Sequence, residues 1–490
     1  MYCSSEIKIG NLYIGGKHPV VVQSMTTTNT MDTEATVRQV KELVDVGCQI
    51  VRITTRNKNE AYNLKNIKTQ LVKAGIDVPL VADVHFNPSV AEVAAKFVEK
   101  VRINPGNYYT SSLNGENEEI ISEKLNSLLS ICKNYNTTIR IGVNHGSLSK
   151  RILFKYGDTA LGMVESLMEF VEVCRRYDFD NLVLSVKTSN VKIMIEANIL
   201  LAERLVSLGM SCPIHLGVTE AGSEEEGRIK SSAGIGYVLS KGIGDTIRVS
   251  LAENPVNEIP VAKLLVEYFG KRSLPSKLVR SKLYGYSVEN LEFKKPIIVT
   301  TSKTESSDLS MDELYGMNGS SYNSEILKIV SLKNMKLPSF EYTTISSVLA
   351  SIAFYDNLAD GIHLENSQML DVELGNISKT ILQALGLRIS GTEYIACPTC
   401  GRTTINLVDL LKELKSKTSH IIGLKLAVMG CIVNGLGEMA DAHYGIMGAG
   451  AQKVQLYKGS SIVQKNVPQN MAVDSLISLI KSFGDWEDVE

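Results

Sequence analysis

No stretch of this sequence stays apolar for the roughly 20 residues that a membrane-spanning helix needs, so the sequence offers no candidate for one. Charge of one sign is also missing. The 51 Lys and Arg stand against 53 Asp and Glu, a net charge of −2, which argues against a general nucleic-acid surface. Cysteine is sparse, at eight in 490 residues, and the opening Met1-Tyr2-Cys3-Ser4-Ser5-Glu6 runs into strand-like Ile7-Lys8-Ile9 without the pattern of a secretory leader. The expectation is a reducing, cytoplasmic setting, bacterial rather than plastid, with thiols free for metal chemistry. Cys3, Cys48, Cys132, Cys174 and Cys212 are scattered and read as packing residues. What is present is 44% hydrophobic residues over a length that allows two or three full-sized domains.

The remaining three cysteines are grouped. Cys397-Pro398-Thr399-Cys400 is followed by Cys431 in Met429-Gly430-Cys431-Ile432-Val433-Asn434-Gly435, and Glu438 closes the phrase. A C-x2-C pair sets two thiolates at one turn, close enough to grip one metal centre. Three thiolates on a four-iron cube would leave one iron with a replaceable ligand, which makes a reactive site rather than a relay. Structural zinc completed by His420 or His443 uses the same pattern, and buried packing cysteines are the third reading.

The first 268 residues alternate short apolar strands with helical stretches. The strands fall at 19–26, 50–55, 78–85, 100–105, 138–144, 181–188, 213–219 and 245–251, with helices such as Thr33–Val46, Pro88–Val98, Thr159–Tyr177 and Asn190–Ser207 between them. Eight strands in strict alternation predict a (β/α)8 TIM barrel, with an open doubly wound sheet as the alternative. The strands are unusual in their polar face. Arg52 and Thr54, Asp83 and His85, Arg102 and Asn104, Arg140 and Asn144, Ser185 and Lys187, His215 and Thr219, and Thr246, Arg248 and Ser250 each recur with the period of two that a strand imposes. The alternate positions are apolar, as packing against outer helices requires.

The polar set therefore points into the barrel, toward the mouth where barrel active sites lie. Five members are cations, Arg52, Arg102, Arg140, Lys187 and Arg248, against Asp83 and Glu220. Buried like charges need an anion, and the guanidinium fork favours phosphate or diphosphate. About three of the five are expected to touch that ligand, the others being salt-bridged at the rim. The segment Ile229-Lys230-Ser231-Ser232-Ala233-Gly234-Ile235-Gly236 offers hydroxyls, glycines and a helix start between strands seven and eight, so Ser231 and Ser232 are phosphate candidates. Residues 269–385 read as an inserted module with a loop at Thr300–Ser324, a helix near Ser346–Ala353 and a structural His363. Residues 386–490 read as a small α+β domain that carries the cysteines, with a helix at Val408–Leu414, a strand at Leu424–Val428, a hairpin at Val454–Tyr457 and Ser461–Val463, and a closing helix Asp474–Phe483.

Barrel and cysteine motif together resemble the 4-hydroxy-3-methylbut-2-enyl diphosphate synthase family of the methylerythritol phosphate pathway of isoprenoid biosynthesis. The matching phrases are Val22-Gln23-Ser24-Met25-Thr26, Arg102-Ile103-Asn104-Pro105-Gly106-Asn107, Arg140-Ile141-Gly142-Val143-Asn144, Thr219-Glu220-Ala221-Gly222, Gly244-Asp245-Thr246-Ile247-Arg248-Val249-Ser250, Ala396-Cys397-Pro398-Thr399-Cys400-Gly401-Arg402 and the Cys431 phrase. The resemblance implies an iron–sulfur oxidoreductase that holds 2-C-methyl-D-erythritol 2,4-cyclodiphosphate by its diphosphate, on Arg52, Asp83, Arg102, Arg140, Asn144, Lys187, Thr219, Ser231, Ser232, Arg248 and Ser250. It implies a [4Fe–4S] cluster on Cys397, Cys400, Cys431 and Glu438, the carboxylate being a ligand that substrate oxygen displaces. Two electrons enter singly, the ring opens, and water is lost. Glu220 is implied in proton transfer, and Asn434 lies near the cluster. The implied electron donor is ferredoxin or flavodoxin, with no nucleic acid and no membrane involved.

The chain departs from the family in having Leu436 where many members have Pro. It looks like the long type of the family with a reduced insert, too short for a second full barrel. Closure of the cluster domain over its own barrel, or over that of a partner in a homodimer, is left open. A pterin-binding barrel transferase would not need the cysteines, and a non-enzymatic iron–sulfur carrier would not need the barrel cations.

Overall fold

The structure is a computed structural model that describes residues 2–108, 118–270, 280–288, 296–302, 304, 305, 307–310, 325–333, 337–450 and 452–488. Eight parallel strands form the barrel: Val21–Met25, Ile50–Thr55, Leu80–Val84, Lys100–Ile103, Thr138–Asn144, Leu182–Lys187, His215–Leu216 and Thr246–Ile247. Each pairs with its neighbours in chain order, and the last pairs back onto the first through Thr246 opposite Val21. A parallel bridge between Leu184 and Ile214 closes the ring between the sixth and seventh strands.

The outward positions carry the packing. Val51, Ile53, Val101, Ile103, Ile139, Ile141, Val143, Leu184 and Val186 are fully buried against the surrounding helices, each contributing roughly 1.5–3 kcal/mol of burial. That outer ring stabilises a barrel whose polar interior could not. Side chains cap the ring helices at their starts. Asp32 accepts from Ala35 N–H, Asn57 from Glu60, Thr159 from Gly162 and Asn190 from Ile193, each cap contributing about 1 kcal/mol.

The floor is apolar. Strands Ile7–Ile9 and Leu12–Ile14 form an antiparallel hairpin turning at Gly10. Ile9 and Ile14 pack onto Val21, Ile50, Val81 and Val183 at the strand starts, so the N-terminal end of the barrel is plugged and the polar interior opens only toward the C-terminal mouth.

The seventh and eighth strands are two residues each, shorter than the expected 213–219 and 245–251. The chain leaves the barrel there to meet the C-terminal domain. Ala221 forms a parallel bridge with Ala396, and Ala252 N–H donates to Gly222 O at 2.8 Å. The helix after Pro88 also ends earlier than expected, at Ala94.

The insert supplies a five-stranded sheet in the order Arg280–Val288, Glu325–Lys333, Gly361–Glu365, Ile297–Thr300, Leu309–Ser310. Its helices Ser339–Tyr355 and Asp371–Ala384 pack on barrel helix Glu224–Ser240. Small residues permit that approach: a Cβ at Gly236 would overlap Val348, and Ser351 Oγ donates to Ala233 O at 3.1 Å. His363 is buried and hydrogen-bonds Val299 O at 3.0 Å. Of the expected Thr300–Ser324 loop, Leu309–Ser310 is strand and residues 311–324 lie outside the described residues.

The C-terminal sheet runs Glu393–Ala396, Lys425–Met429, Tyr444–Gly450, Lys453–Lys458, Ser461–Pro468, parallel through the first three strands and antiparallel after. Helices Leu407–Thr418 and Ala472–Ser482 cover it. No helix among the described residues is long and apolar enough to cross a membrane.

Candidate active site between the barrel mouth and the cysteine domain

The strand parity that buries Val51 and Ile53 outward turns Arg52 inward, and the same rule places Asp83, Arg102, Arg140, Lys187 and Arg248 on one cavity of about 810 Å3, open solvent included. These charges are unequally compensated. Asp83 sits among three guanidiniums: Arg102 Nη1 at 3.3 Å, Arg402 Nη1 at 3.0 Å and Arg52 Nη1 at 4.0 Å. Burial alone would raise its pKa, but the Arg52, Arg102 and Arg402 guanidiniums hold it well below the usual carboxylate range. His85 is pushed down to about 3 by burial and by Arg402, so it is neutral. Arg248 is held by Glu258 through Nη2–Oε1 at 3.0 Å and Nε–Oε2 at 3.2 Å. Ser24 Oγ donates to the same carboxylate at 2.6 Å.

Arg140 and Lys187 have no carboxylate partner among the described residues. Arg140 is 1% exposed, yet its Nε and Nη1 meet no acceptor. Burial and the neighbouring Arg52 and Arg102 charges lower its pKa. Lys187 Nζ lies 2.9 Å from His215 Nε2, and His215 Nδ1 lies 2.7 Å from Thr246 Oγ1. Burial, then Lys187 and Arg140, keeps His215 unprotonated, so its Nε2 accepts from the lysine and its Nδ1–H donates to the threonine. Unpaired buried donors of one sign are costly. A multiply charged anion between Arg140, Lys187 and Arg52 would relieve that cost.

The C-terminal domain forms the roof. Cys397, Cys400 and Cys431 are free thiols, partly exposed, and all three line the cavity. Gly430 N–H donates to Cys397 Sγ at 3.2 Å and Arg402 N–H to Cys400 Sγ at 3.4 Å. Burial pushes the Cys397 thiol well above its ordinary value, and Cys431, Cys400 and Glu220 add to it. Cys431 starts the helix Ile432–Glu438, whose Val433, Gly435 and Glu438 face the cavity. Two glycines let the roof settle: a Cβ at Gly437 would overlap the backbone oxygen of Gly146, and one at Gly401 would crowd Thr28 O.

Two carboxylates meet where roof and barrel join. Glu438 Oε1 accepts from Asn144 Nδ2 at 2.7 Å. Burial, then the charge and hydrogen bond of Glu220, pushes the Glu438 carboxyl well above its usual range. Glu220 follows the seventh strand with φ of +48°, a left-handed conformation that bulky residues avoid, and its Oε2 has no partner.

Of the sequence candidates, Arg52, Asp83, Arg102, Arg140, Asn144, Lys187, Thr219, Glu220, Arg248, Ser250, Cys397, Cys400, Cys431 and Glu438 line this one cavity. Ser231 and Ser232 do not. They lie inside helix Glu224–Ser240, not at its start, and are fully buried away from the cleft lining. Asn434 lies in the helix Ile432–Glu438, but its side chain is outside the described residues. His420 and His443 are elsewhere, bonded to Glu487 O and to Lys425 N–H, so neither joins the cysteines.

Sequence reasoning missed Glu258, Arg402 and Lys100. Glu258 follows the last barrel strand in a helix, where strand parity says nothing. Arg402 was visible only as part of the motif Cys400-Gly401-Arg402. Lys100 shares Arg102's parity and is fully buried, its Nζ reaching Gln23 Oε1 at 3.3 Å across the barrel.

A family profile described as "GcpE TIM-barrel domain" matches residues 4–263, and one described as "GcpE protein C-terminal domain" matches 393–482. The chain is similar to "4-hydroxy-3-methylbut-2-en-1-yl diphosphate synthase (flavodoxin)" of Phocaeicola vulgatus, 39% identical over 603 residues covering 99% of this chain and 98% of the relative. Proteins of the same description from Porphyromonas gingivalis, at 38% with 99% and 98% coverage, and Leptospira interrogans, at 35% with 99% and 97%, are also similar. The first alignment spans 603 residues although this chain has 490, so that relative carries residues absent here.

Proposed function

The chain belongs to the GcpE family, and on that footing we propose that it reduces 2-C-methyl-D-erythritol 2,4-cyclodiphosphate to 4-hydroxy-3-methylbut-2-enyl diphosphate in the methylerythritol phosphate pathway. Two electrons enter, the ring C–O bond to phosphate breaks, and one hydroxyl leaves as water. The observation that carries this reading is the pairing within one cavity: three free thiols on the roof face unpaired cations in the barrel.

The donors fit an iron–sulfur cluster. Among the described residues no three His, Cys, Asp or Glu side chains converge closely enough for one metal ion, yet three thiols and Glu438 ring a common space. Three free thiols and one carboxylate on one cavity are the donor chemistry that an iron–sulfur cluster takes. Cys397, Cys400, Cys431 and Glu438 would hold a [4Fe–4S] cluster. Bound there, it would supply electrons one at a time and an iron with an exchangeable ligand.

The protein's own groups do the rest. Arg140, Lys187 and Arg52 take the diphosphate, because they lack full compensation without it. His215 holds the Lys187 ammonium in place from below. Arg248, already clamped by Glu258, presents a fixed wall with Ser250 and Thr219. Asn144 orients Glu438. Glu220, which lines the cavity with its Oε2 unpartnered, is the group placed to pass a proton to the departing oxygen so that it leaves as water.

The work divides over 1–268 for substrate, 269–385 as a spacer and 386–490 for the cluster. Because roof and barrel meet within one chain, a homodimer is not needed to complete the site. We assign the electron donor to flavodoxin, after the description of the relatives, and the setting to the cytoplasm.

The test is anaerobic reconstitution with iron and sulfide, a visible spectrum, and a dithionite-driven assay with the cyclic diphosphate. A brown chromophore that bleaches on reduction, with product formed, is expected. Tightly bound zinc and no product would overturn the reading.

A further inference from the structure

Electrons must reach the roof of the cavity from outside, and the helix Ile432–Glu438 separates it from solvent. Val433, Gly435 and Glu438 line the cavity, while Ile432 is 64% exposed and Leu436 41%. The latter two are four residues apart and share one side of the helix. An α-helix is about 10–12 Å across with its side chains, so this outer apolar face lies only about one helix width from the thiols.

The barrel brings a second exposed segment near this face. Gly146, whose backbone meets Gly437, is followed within a few residues by Ser149, the cap of helix Lys150–Tyr156. That helix reads Lys150-Arg151-Ile152-Leu153-Phe154-Lys155-Tyr156, with three cations and no acid, in a chain whose net charge is −2. Phe154 is 96% exposed and Leu153 38%. Arg151 is engaged with Glu169, whereas Lys150 and Lys155 make no ion pair among the described residues. Lys155 lies over the Tyr156 ring, 4.8 Å from its centroid, and an exposed phenylalanine beside lysines that no carboxylate among the described residues holds marks a contact surface for a partner rather than a solvated helix.

We propose that Phe154, Lys150, Lys155, Ile432 and Leu436 form the docking site of the electron donor, a flavodoxin engaged through acidic side chains that complement the lysines. The proposal rests on the functional reading above and extends it to the partner. The lysines steer the encounter, Phe154 anchors it, and the short helix Ile432–Glu438 is the path across which electrons pass.

The experiment uses the full-length reconstituted protein and the exposed variants Phe154→Glu and Lys155→Glu. Turnover is driven once by reduced flavodoxin and once by dithionite, which needs no docking surface. Both variants are expected to lose roughly tenfold or more in kcat/KM for flavodoxin, as loss of an anchor or a steering charge does, and to keep the dithionite-driven rate. Calorimetric titration with oxidised flavodoxin should show the same weakening, whether or not the cluster is loaded. Raised ionic strength should slow the flavodoxin-driven reaction of the natural protein more than that of Lys155→Glu.

Unchanged kcat/KM for flavodoxin in both variants would overturn the proposal. So would an equal fall in the dithionite-driven rate, or a change of sedimentation in Phe154→Glu showing that the face joins two copies. No product with dithionite in the natural protein would instead remove the functional reading beneath it.

Discussion

Arg402, on the loop of the cysteine pair, reaches Asp83 on the third barrel strand with Nη1 3.0 Å from Oδ2 and Nη2 2.8 Å from the backbone oxygen. The contact joins residues 319 positions apart and ties the roof to the charge network that lines the cavity. Both groups are buried. Arg402→Gln therefore strands part of the Asp83 charge, a loss of about 3–5 kcal/mol for a broken buried pair. We expect the cluster to load normally while turnover drops, with faster amide hydrogen exchange at 397–403. Unaltered exchange and rate would show that the roof is held elsewhere.

The backbone meeting of Gly146 and Gly437 gives a second prediction. Gly437→Ala puts a methyl group onto the Gly146 oxygen, so the helix Ile432–Glu438 must lift. Substrate affinity, read by equilibrium binding, should change little because the barrel cations stay in place. The kcat should fall by roughly a hundredfold, the scale expected from about an ångström of misplacement. Gly459→Ala, where added atoms meet nothing within 4 Å, serves as a control for general handling although its φ of +54° also carries strain. Equal kcat in Gly437→Ala and the natural protein would refute the lift.

Arg140 and Arg248 look alike in sequence and should behave oppositely. Arg140 forms no ion pair among the described residues, and the Arg52 and Arg102 charges outweigh the more distant Asp83, so Arg140→Met should leave the substrate-free melting temperature at or above that of the natural protein. The same change should weaken substrate binding roughly ten- to a hundredfold, the equivalent of about 1.5–3 kcal/mol for a charged hydrogen bond. Arg248→Met leaves Glu258 buried without its cation, held among the described residues only by Ser24 Oγ and Leu251 N–H, which should cost about 3–5 kcal/mol and several degrees of melting temperature. Thermal scans with and without the cyclic diphosphate separate the two. A lower melting temperature for Arg140→Met would show a hidden counter-charge.

Glu438→Ala removes the one carboxylate among the four proposed cluster ligands. The three thiols should still assemble an iron–sulfur chromophore, while most turnover disappears. A normal visible spectrum together with full turnover would sink the role given to this carboxylate.

How much of this was legible beforehand follows from physical range. Period-two alternation is a local rule, so Arg52, Asp83, Arg102, Arg140, Lys187 and Arg248 could be assigned inward from the sequence, and the structure places them on one cavity. The spacing Cys397-x2-Cys400 is local as well. Ser231 and Ser232 misled because a Gly-Ser-rich segment reads as a phosphate loop, whereas here small residues let helix Glu224–Ser240 pack closely on the insert at Gly236 and Ala233. Strands seven and eight were read too long, because apolar continuation cannot show where a chain departs to bridge Ala221 to Ala396.

The sequence by itself determined the barrel, its cationic interior and the thiol motif, because each rests on a repeat or spacing of a few residues. Only the tertiary structure decided which cations keep a partner. Glu258 for Arg248, and Asp83 shared among Arg52, Arg102 and Arg402, are set by side-chain reach between elements far apart in the chain. It likewise decided that the roof closes on its own barrel. That outcome depends on glycines at the seam and on the ion pairs Asp83–Arg402, Lys230–Glu393 and Glu226–Lys415 finding complementary surfaces, which no local pattern encodes.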